Sequence, residues 1–336
     1  MHPPHTARTA SQTRRKLAAG LALAGLALGH AGSALAQAQP FPSHPIRLLA
    51  GASPGSASDL IARAVAEKLQ TELGVPVIIE NKAGASGLLA VQTMLGAKAD
   101  GYTVVAYTAA HTVLPLLSRL NYDPVRDISG VTPLAMVPNV MVAAPSKGFK
   151  TVKDVVDTAK ASPGKLNYAS VGVGTATWMS AEKFRAATGI DAVHVPYKGS
   201  PEAMTETMAG RVDYFMAPLV SALPMIKSGA LVALAVGTPK RSVLLPDVPT
   251  LTEAGVAKAD YVFWVGMLVP SSTPRDIVRK LNQAALKALQ APEVRERLVA
   301  LGAEPMPMGP EQFDSLVKDE LAANAAIIKA AGIKAE

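Results

Sequence analysis

Two short stretches hold the residue types that can do chemistry. The first is Leu48 to Asp59, LLAGASPGSASD, where an apolar run stops in small residues and a helical pattern begins. Gly51-Ala52-Ser53-Pro54-Gly55 has the Gly-x-Ser-x-Gly spacing of a nucleophile elbow, in the strand, turn and helix order that such a serine requires. The same stretch supports a non-covalent reading. Ala52, Ser53, Gly55, Ser56, Ala57, Ser58 and Asp59 lie where unpaired backbone N–H groups and the positive end of a helix dipole converge, an anion site that needs no basic side chain. The second stretch is Ser170 to Thr175, SVGVGT, after the apolar strand Leu166 to Ala169 and before a helix near Thr177 to Thr188. Its Ser170, Gly172, Gly174 and Thr175 repeat the arrangement, and one such turn in each half of the chain faces a shared cleft.

Several bland readings stand beside these. A hydrolase of this kind presents its serine after several strands, with an oxyanion donor from an earlier loop, whereas one strand precedes Ser53. Past the N-terminal leader the histidines are His44, His111 and His194, none in an evident triad setting. An anion loop is therefore the stronger reading of Ser53. Gly172-Val173-Gly174 lacks the third glycine of a dinucleotide fingerprint, and no acid closes the next strand, which ends His194-Val195-Pro196. The loop Asn81 to Gly87, with Ala85 and Ser86, either lets backbone approach a ligand or is a plain tight turn. Asp59 either touches ligand or complements its helix dipole, Lys198 either pairs with a carboxylate or is solvated, and His194 reads as a satisfied strand histidine.

The elements that must position these loops follow from periodicity. Arg14, Arg15 and Lys16, an apolar run from Leu17 to Leu28, and Ala34-Leu35-Ala36 read as an export signal over residues 1–36, by the ordinary route or, given the arginine pair, the twin-arginine one. Removing it leaves 336 − 36 = 300 residues and lowers the formal charge from +7 to +3, because the leader carries four basic residues and no acid. No basic block with interleaved aromatics points to nucleic acid, and the absence of cysteine removes disulfides and thiolate chemistry. Metal-ligand clusters are not evident either. Strand-like runs then alternate with helical patterns: strand Ile46 to Ala50, helix Asp59 to Leu73, strand Val75 to Glu80, helix Ser86 to Ala97, strand Thr103 to Tyr107, then strands Gly130 to Val137 and Asn139 to Ala144. A second series runs from Leu166 to Val236, and strand Val262 to Val269 leads into three helices packed on the first half. This predicts an α/β chain of two mainly parallel sheets in two lobes, residues 41–141 with 264–336 and residues 142–263, with a hinge crossed twice.

Several segments together resemble the tripartite tricarboxylate transporter receptors, the Bug family of periplasmic solute-binding proteins. They are the turn ending at Asp59, Asn81-Lys82-Ala83-Gly84-Ala85-Ser86-Gly87, Asp100-Gly101-Tyr102-Thr103, and Tyr122-Asp123-Pro124 with Asp127. Pro163-Gly164-Lys165-Leu166-Asn167-Tyr168-Ala169-Ser170, His194-Val195-Pro196-Tyr197-Lys198-Gly199, Arg241 and Pro246-Asp247-Val248-Pro249-Thr250 continue the pattern across nearly the whole mature chain. The resemblance implies a two-lobed periplasmic binding protein whose two loops grip a carboxylate through backbone amides and waters. It also implies delivery to an inner-membrane permease with a large and a small subunit. With it we expect a periplasmic monomer with no cofactor, no metal and no catalytic residue. A sensor subunit presenting the same ligand to a signalling partner remains open.

The chain departs from the family at four places. The family often has a bulky aromatic at Ala52, a second glycine at Ser56, a histidine at Trp178, and an Asp-Asn pair at Ala217-Pro218. Ala217 offers no acceptor for a ligand ammonium, and a buried unpaired charge is costly, so free α-amines are disfavoured. Ala52 opens volume, while Met216, and Trp178 if it faces the cleft rather than the core, add apolar surface. The expected ligand is an aromatic dicarboxylate such as terephthalate, with linear aliphatic dicarboxylates next. If Ser53 belongs to an anion loop, a fluorophosphonate probe leaves it unlabelled in mass spectrometry, and stoichiometric labelling there would contradict the reading.

Overall fold

The computed structural model describes residues 40–330 and 332–333, so the expected leader lies outside the described residues. The chain divides into two compact units, Met1–Ser43 and His44–Glu336, and the described strands and helices all belong to the second. Strand β1 (Ile46–Ala50) ends in the first small-residue turn, which opens helix α1 (Ala57–Leu73). In α1 the residues Ile61, Ala64, Val65 and Leu69 fall on one helical face and are buried, as their three- and four-residue spacing requires. The helix stops at Gly74, whose left-handed conformation lets its N–H reach the Gln70 carbonyl at 2.9 Å.

On either side of β1 lie β2 (Val77–Asn81) and β3 (Thr103–Thr108), both parallel to it. The expected helix from Ser86 to Ala97 begins instead as a 3-10 turn, Ala85–Gly87, with Ala85 and Ser86 at positive φ, and becomes α2 (Leu88–Leu95) after it. Helix α3 (Ala110–Leu117) is not expected from periodicity. It is buried on most sides and carries Pro115 inside, so it shows neither an amphipathic stripe nor an unbroken helical run.

The two expected strands around residues 130–144 are one 16-residue strand, β4 (Ile128–Ala143). Its first part pairs with β9 (Val262–Pro270) as far as Pro138 opposite Val262. From Asn139 onward it pairs with β7 (Tyr214–Pro218) and, on Val140–Ala143, with β8 (Val232–Val236). Pro138, lacking an N–H, sits where the pairing partner changes. Beyond β7 lie β5 (Leu166–Ser170) and β6 (Ala192–Pro196), parallel to one another, with β5 also parallel to β7. The order is β2-β1-β3-β9-β4-β7-β5-β6, with β8 and β10 (Glu304–Pro305) pairing β4 off that path. Each outer group is parallel as expected. The middle of the sheet, through β3, β9, β4 and β7, is antiparallel, because one long strand serves both halves and β9 returns beside it.

Helix α4 (Val152–Ala161) starts at Thr151, which forms a capping box with Asp154. Helices α5 (Ala176–Thr188), α6 (Ser200–Met208) and α7 (Leu219–Lys227) follow β5, β6 and β7 in turn. The last helices are α8 (Arg275–Gln290), α9 (Pro292–Ala300) and α10 (Pro310–Ala330); α8 packs on α1 and α10 on α3 and β4, while Ile328 near the end of α10 joins the core that holds Trp178 and Phe184. Asn282 on α8 donates to the Val131 carbonyl at 2.9 Å, and Asp314 on α10 accepts the Gly130 N–H at 2.7 Å. Glu320, also on α10, accepts from the Trp264 indole N–H of β9 at 2.8 Å and from Thr112 of α3 at 3.2 Å. These polar ties fix where the tail packs. Solvated pairs such as Lys68–Glu293 at 3.6 Å contribute little by comparison.

Candidate functional site

The ends of β1 and β5 point their turns toward each other. In the first turn the Ser56 N–H donates to the Ser53 carbonyl at 3.1 Å, and the Ser56 carbonyl receives the Leu60 N–H at 2.9 Å, so α1 begins at Ser56. In the second, Thr175 N–H donates to the Gly172 carbonyl at 3.2 Å and the Thr175 carbonyl receives the Met179 N–H at 2.9 Å, which starts α5. Serine and threonine are good N-cap residues, yet neither side chain caps its own helix. Ser56 Oγ accepts the Ser200 N–H at 3.0 Å, and Thr175 Oγ1 donates to the Gly172 carbonyl at 2.7 Å. Thr151 on α4 does cap, so the contrast lies in local geometry, not residue type. The first-turn N–H groups of α1 and α5 are thus left for something else.

Between them lies a cavity of about 40 Å³, lined by Gly51, Ala52, Ser56, Ala57 and Ser58 from one side and Val171, Thr175, Ala176 and Thr177 from the other. Ser86, Tyr107, Thr108, Ser200, Pro218 and Phe263 complete the wall. No charged side chain is among these. The Ser58 hydroxyl, only 2% exposed, has no hydrogen-bond partner. A buried hydroxyl without a partner costs free energy, and here it lines a cavity beside orphan backbone donors. Tyr107 OH donates to the Ser86 carbonyl at 2.9 Å, and burial pushes its pKa well above the ordinary value, so it remains a donor. His111, edge-on to Tyr107 with ring centroids 6.3 Å apart, is pushed down to about 4 by burial and is neutral at neutral pH.

Direct hydrogen bonds bridge the cleft around this cavity. Ser53 Oγ donates to Glu202 Oε1 at 2.6 Å, Ser221 Oγ to the Gly55 carbonyl at 3.0 Å, and Ser86 Oγ to the Val173 carbonyl at 2.8 Å. Past the Ser86 bridge opens a larger chamber of about 600 Å³, lined by Ala85, Ser86, Gly172, Val173, Tyr197, Lys198 and Glu202. Gly172 must be glycine here: its φ is +109°, and a Cβ would lie 2.5 Å from Ser86 Oγ.

Of the expected site residues, Ala52, Ser56, Ala57, Ser58, Ser86 and Thr175 line the inner cavity, and Ala85, Gly172 and Lys198 the outer chamber. Others support the loops. Asp59 is 2% exposed, and its carboxylate accepts from Gly55 N–H at 2.9 Å, Arg63 Nε at 2.9 Å and Asn81 Nδ2 at 3.0 Å, so it folds the first turn. Gly55 thereby spends its N–H on Asp59 and its carbonyl on Ser221. Ser170 is fully buried; its Oγ lies 2.6 Å from His194 Nε2 and accepts the Gly172 N–H at 2.9 Å. That serine and histidine pair braces the second turn and exposes no nucleophile. Gly174 faces α3, where a Cβ would lie 2.7 Å from Leu114 Cδ2.

Ser53, Gly55, Asp59, Ser170 and Gly174 line neither space but shape the turns, whereas two further expected site residues belong to the core. Met216 and Ala217 are buried on β7 opposite Met141 and Val140 of β4, and their side chains join the cores on the two faces of the sheet. Trp178 packs in the same core as Met216. The residue of β7 that reaches the cavity is Pro218, at the strand's last position. Sequence reading missed Tyr107, Thr108, Phe263, Ser200 and Glu202. Tyr107 and Thr108 end a strand, and the rule that open α/β sheets bind ligands at the C-terminal ends of their strands points to them.

The chain is similar to known proteins along most of its length. Residues 61–333 match the model of the tripartite tricarboxylate transporter family receptor. A Cupriavidus necator protein, the UPF0065 protein in the gbd 5′ region, is 35% identical over 316 residues, covering 94% of this chain and 96% of its own. An R. palustris protein solved with adipate has a TM-score of 0.84 at 31% identity, over 88% of this chain and 99% of that one. MatC from Rhodopseudomonas palustris, with bound malate, has a TM-score of 0.81 at 28% identity, over 86% of this chain and 100% of that one.

The buried Asp59 network generates a test. Asp59→Ala strands the Gly55 and Asn81 donors, so we expect a loss of about 1–3 kcal/mol in urea unfolding. An unchanged midpoint would show that the first turn does not depend on this carboxylate.

Proposed function

Because this chain belongs to the tripartite tricarboxylate transporter receptor family, we propose that it is a periplasmic receptor that captures a small organic dicarboxylate between its two helix N-termini and carries out no covalent chemistry. One observation carries this reading: the starts of α1 and α5 face each other across a cavity, uncapped by their own Ser56 and Thr175, beside the unpartnered Ser58 hydroxyl. Each helix start offers the equivalent of about half a positive charge, so an anion is the ligand that satisfies both. The adipate and malate held by the similar proteins are carboxylates of this kind.

Within that class we propose an aromatic dicarboxylate such as terephthalate first and linear aliphatic dicarboxylates next. Ala52 leaves room at the first turn, and Tyr107 and Phe263 offer ring surface where Trp178 and Met216 do not. The cavity of about 40 Å³ takes one carboxylate end, and the rest of the ligand passes the Ser86–Val173 bridge into the outer chamber. The halves that close on it are the chain to residue 141 with 264–336, and residues 142–263. Support for this division comes from β4, which changes partners between Pro138 and Asn139, and from β9, which starts opposite Pro138. A ligand that touches both turns favours the closed arrangement over an open one.

The proposed partner is an inner-membrane permease with a large and a small subunit, met by a monomeric receptor that export has placed in the periplasm. Among the described residues no helix is long and apolar enough to cross a membrane. Calorimetry with terephthalate, adipate, citrate and aspartate tests the ligand class. We expect terephthalate and adipate to give the tightest binding, and aspartate binding tightest with no heat from terephthalate would refute the aromatic dicarboxylate.

A further inference from the structure

Glu202 is a carboxylate that the protein itself brings to the first anion turn. It lies in the first turn of α6, and its Oε1 accepts the Ser53 hydroxyl at 2.6 Å, a contact between residues 149 positions apart. Gly199 makes this approach possible. A Cβ on Gly199 would lie 2.6 Å from Ser53 Cβ and 2.8 Å from Glu202 Oε2, so backbone, serine and carboxylate fit only because that atom is missing. Glu202 Oε2 is buried there without a partner.

We propose that Glu202 is a specificity-determining residue, an internal carboxylate that occupies the Ser53 hydroxyl and excludes a third ligand carboxylate from the cleft. The inference rests on the carboxylate-receptor reading above. No charged side chain lines the inner cavity, so ligand carboxylates there are held by two helix starts and by hydroxyls. The inner cavity takes one carboxylate end, so a dicarboxylate places one further carboxylate in the outer chamber, whose wall includes Glu202, whereas a tricarboxylate crowds two against it. Like charges at such range repel, and the repulsion is strongest where water is scarce. Lys198 also lines that chamber but is solvent-exposed, so its attraction is screened while the hydrogen-bonded Glu202 is held in place. Rejection by a fixed like charge is a common way to separate ligands that differ by one group.

Calorimetry at low salt on the full mature chain, with adipate and citrate as probes, tests this. Glu202→Gln keeps an acceptor for Ser53 and removes the charge, so the preference for adipate over citrate should narrow by about tenfold or more. Gly199→Ala keeps the charge but blocks the approach to Ser53, and its extended backbone tolerates alanine, so Glu202 is no longer held in place and the preference should narrow as well, by less than in Glu202→Gln. An unchanged preference in Glu202→Gln, with adipate still bound, would overturn the role of Glu202. No heat from either acid in either the parent or Glu202→Gln would instead overturn the carboxylate reading beneath it.

Discussion

The structure depends on two helix starts whose backbone N–H groups cannot all be satisfied from within. Every α-helix leaves its first N–H groups without intrahelical partners, and most proteins settle them with a side-chain cap or with water. Here Thr151 and Asp154 do so for α4, whereas Ser56 and Thr175 turn their oxygens to the opposite half of the cleft and to the loop behind. An anion favoured by one helix start gains only about 0.3–1 kcal/mol at an exposed site, and up to ~2 kcal/mol when partly buried. A ligand that meets two such starts, several hydroxyls and little water gains from each term. It also needs no arginine, which would be costly to bury without its anion.

That arrangement explains the shape of the sheet. The two turns must approach across a cleft and yet belong to separate α/β series, so some element has to run through both. Strand β4 does this, pairing with β9 up to Pro138 and with β7 and β8 beyond it. The bridges that close the cleft are single hydrogen bonds from Ser53, Ser86, Ser221 and the Ser200 N–H. Individually each contributes on the order of 1 kcal/mol. If the halves close on a ligand as proposed, a few such bonds leave that closure readily shifted by it.

Much of this was legible in the sequence because it is local. The turn after β1, the buried face of α1, the Gly74 stop and the second turn before α5 each follow from a few adjacent residues. What was not legible depends on distance in the chain or on register. Tyr107, Phe263 and Glu202 reach the cleft from three different elements; the strand end announces Tyr107, but nothing in the neighbourhoods of Phe263 and Glu202 does. Met216 and Ala217 fall just short of the cavity: along a strand the faces alternate, and only the strand end, Pro218, opens on it. Asp59 was legible as a first-turn acid with Arg63 one turn on, but its bond to Asn81 is tertiary. Pro138 reads as a break between strands, yet it marks a change of partner inside one strand.

The central claim is that one ligand is held by the amides of both helix starts at once. Backbone ¹H–¹⁵N spectra of the mature protein, recorded while adipate is added, measure it directly. The account predicts that the amides of Ala57 and Ser58 and those of Ala176 and Thr177 shift together, with one saturation curve and larger changes than elsewhere. Shifts confined to one of the two turns, or centred on residues outside the cleft, would contradict it.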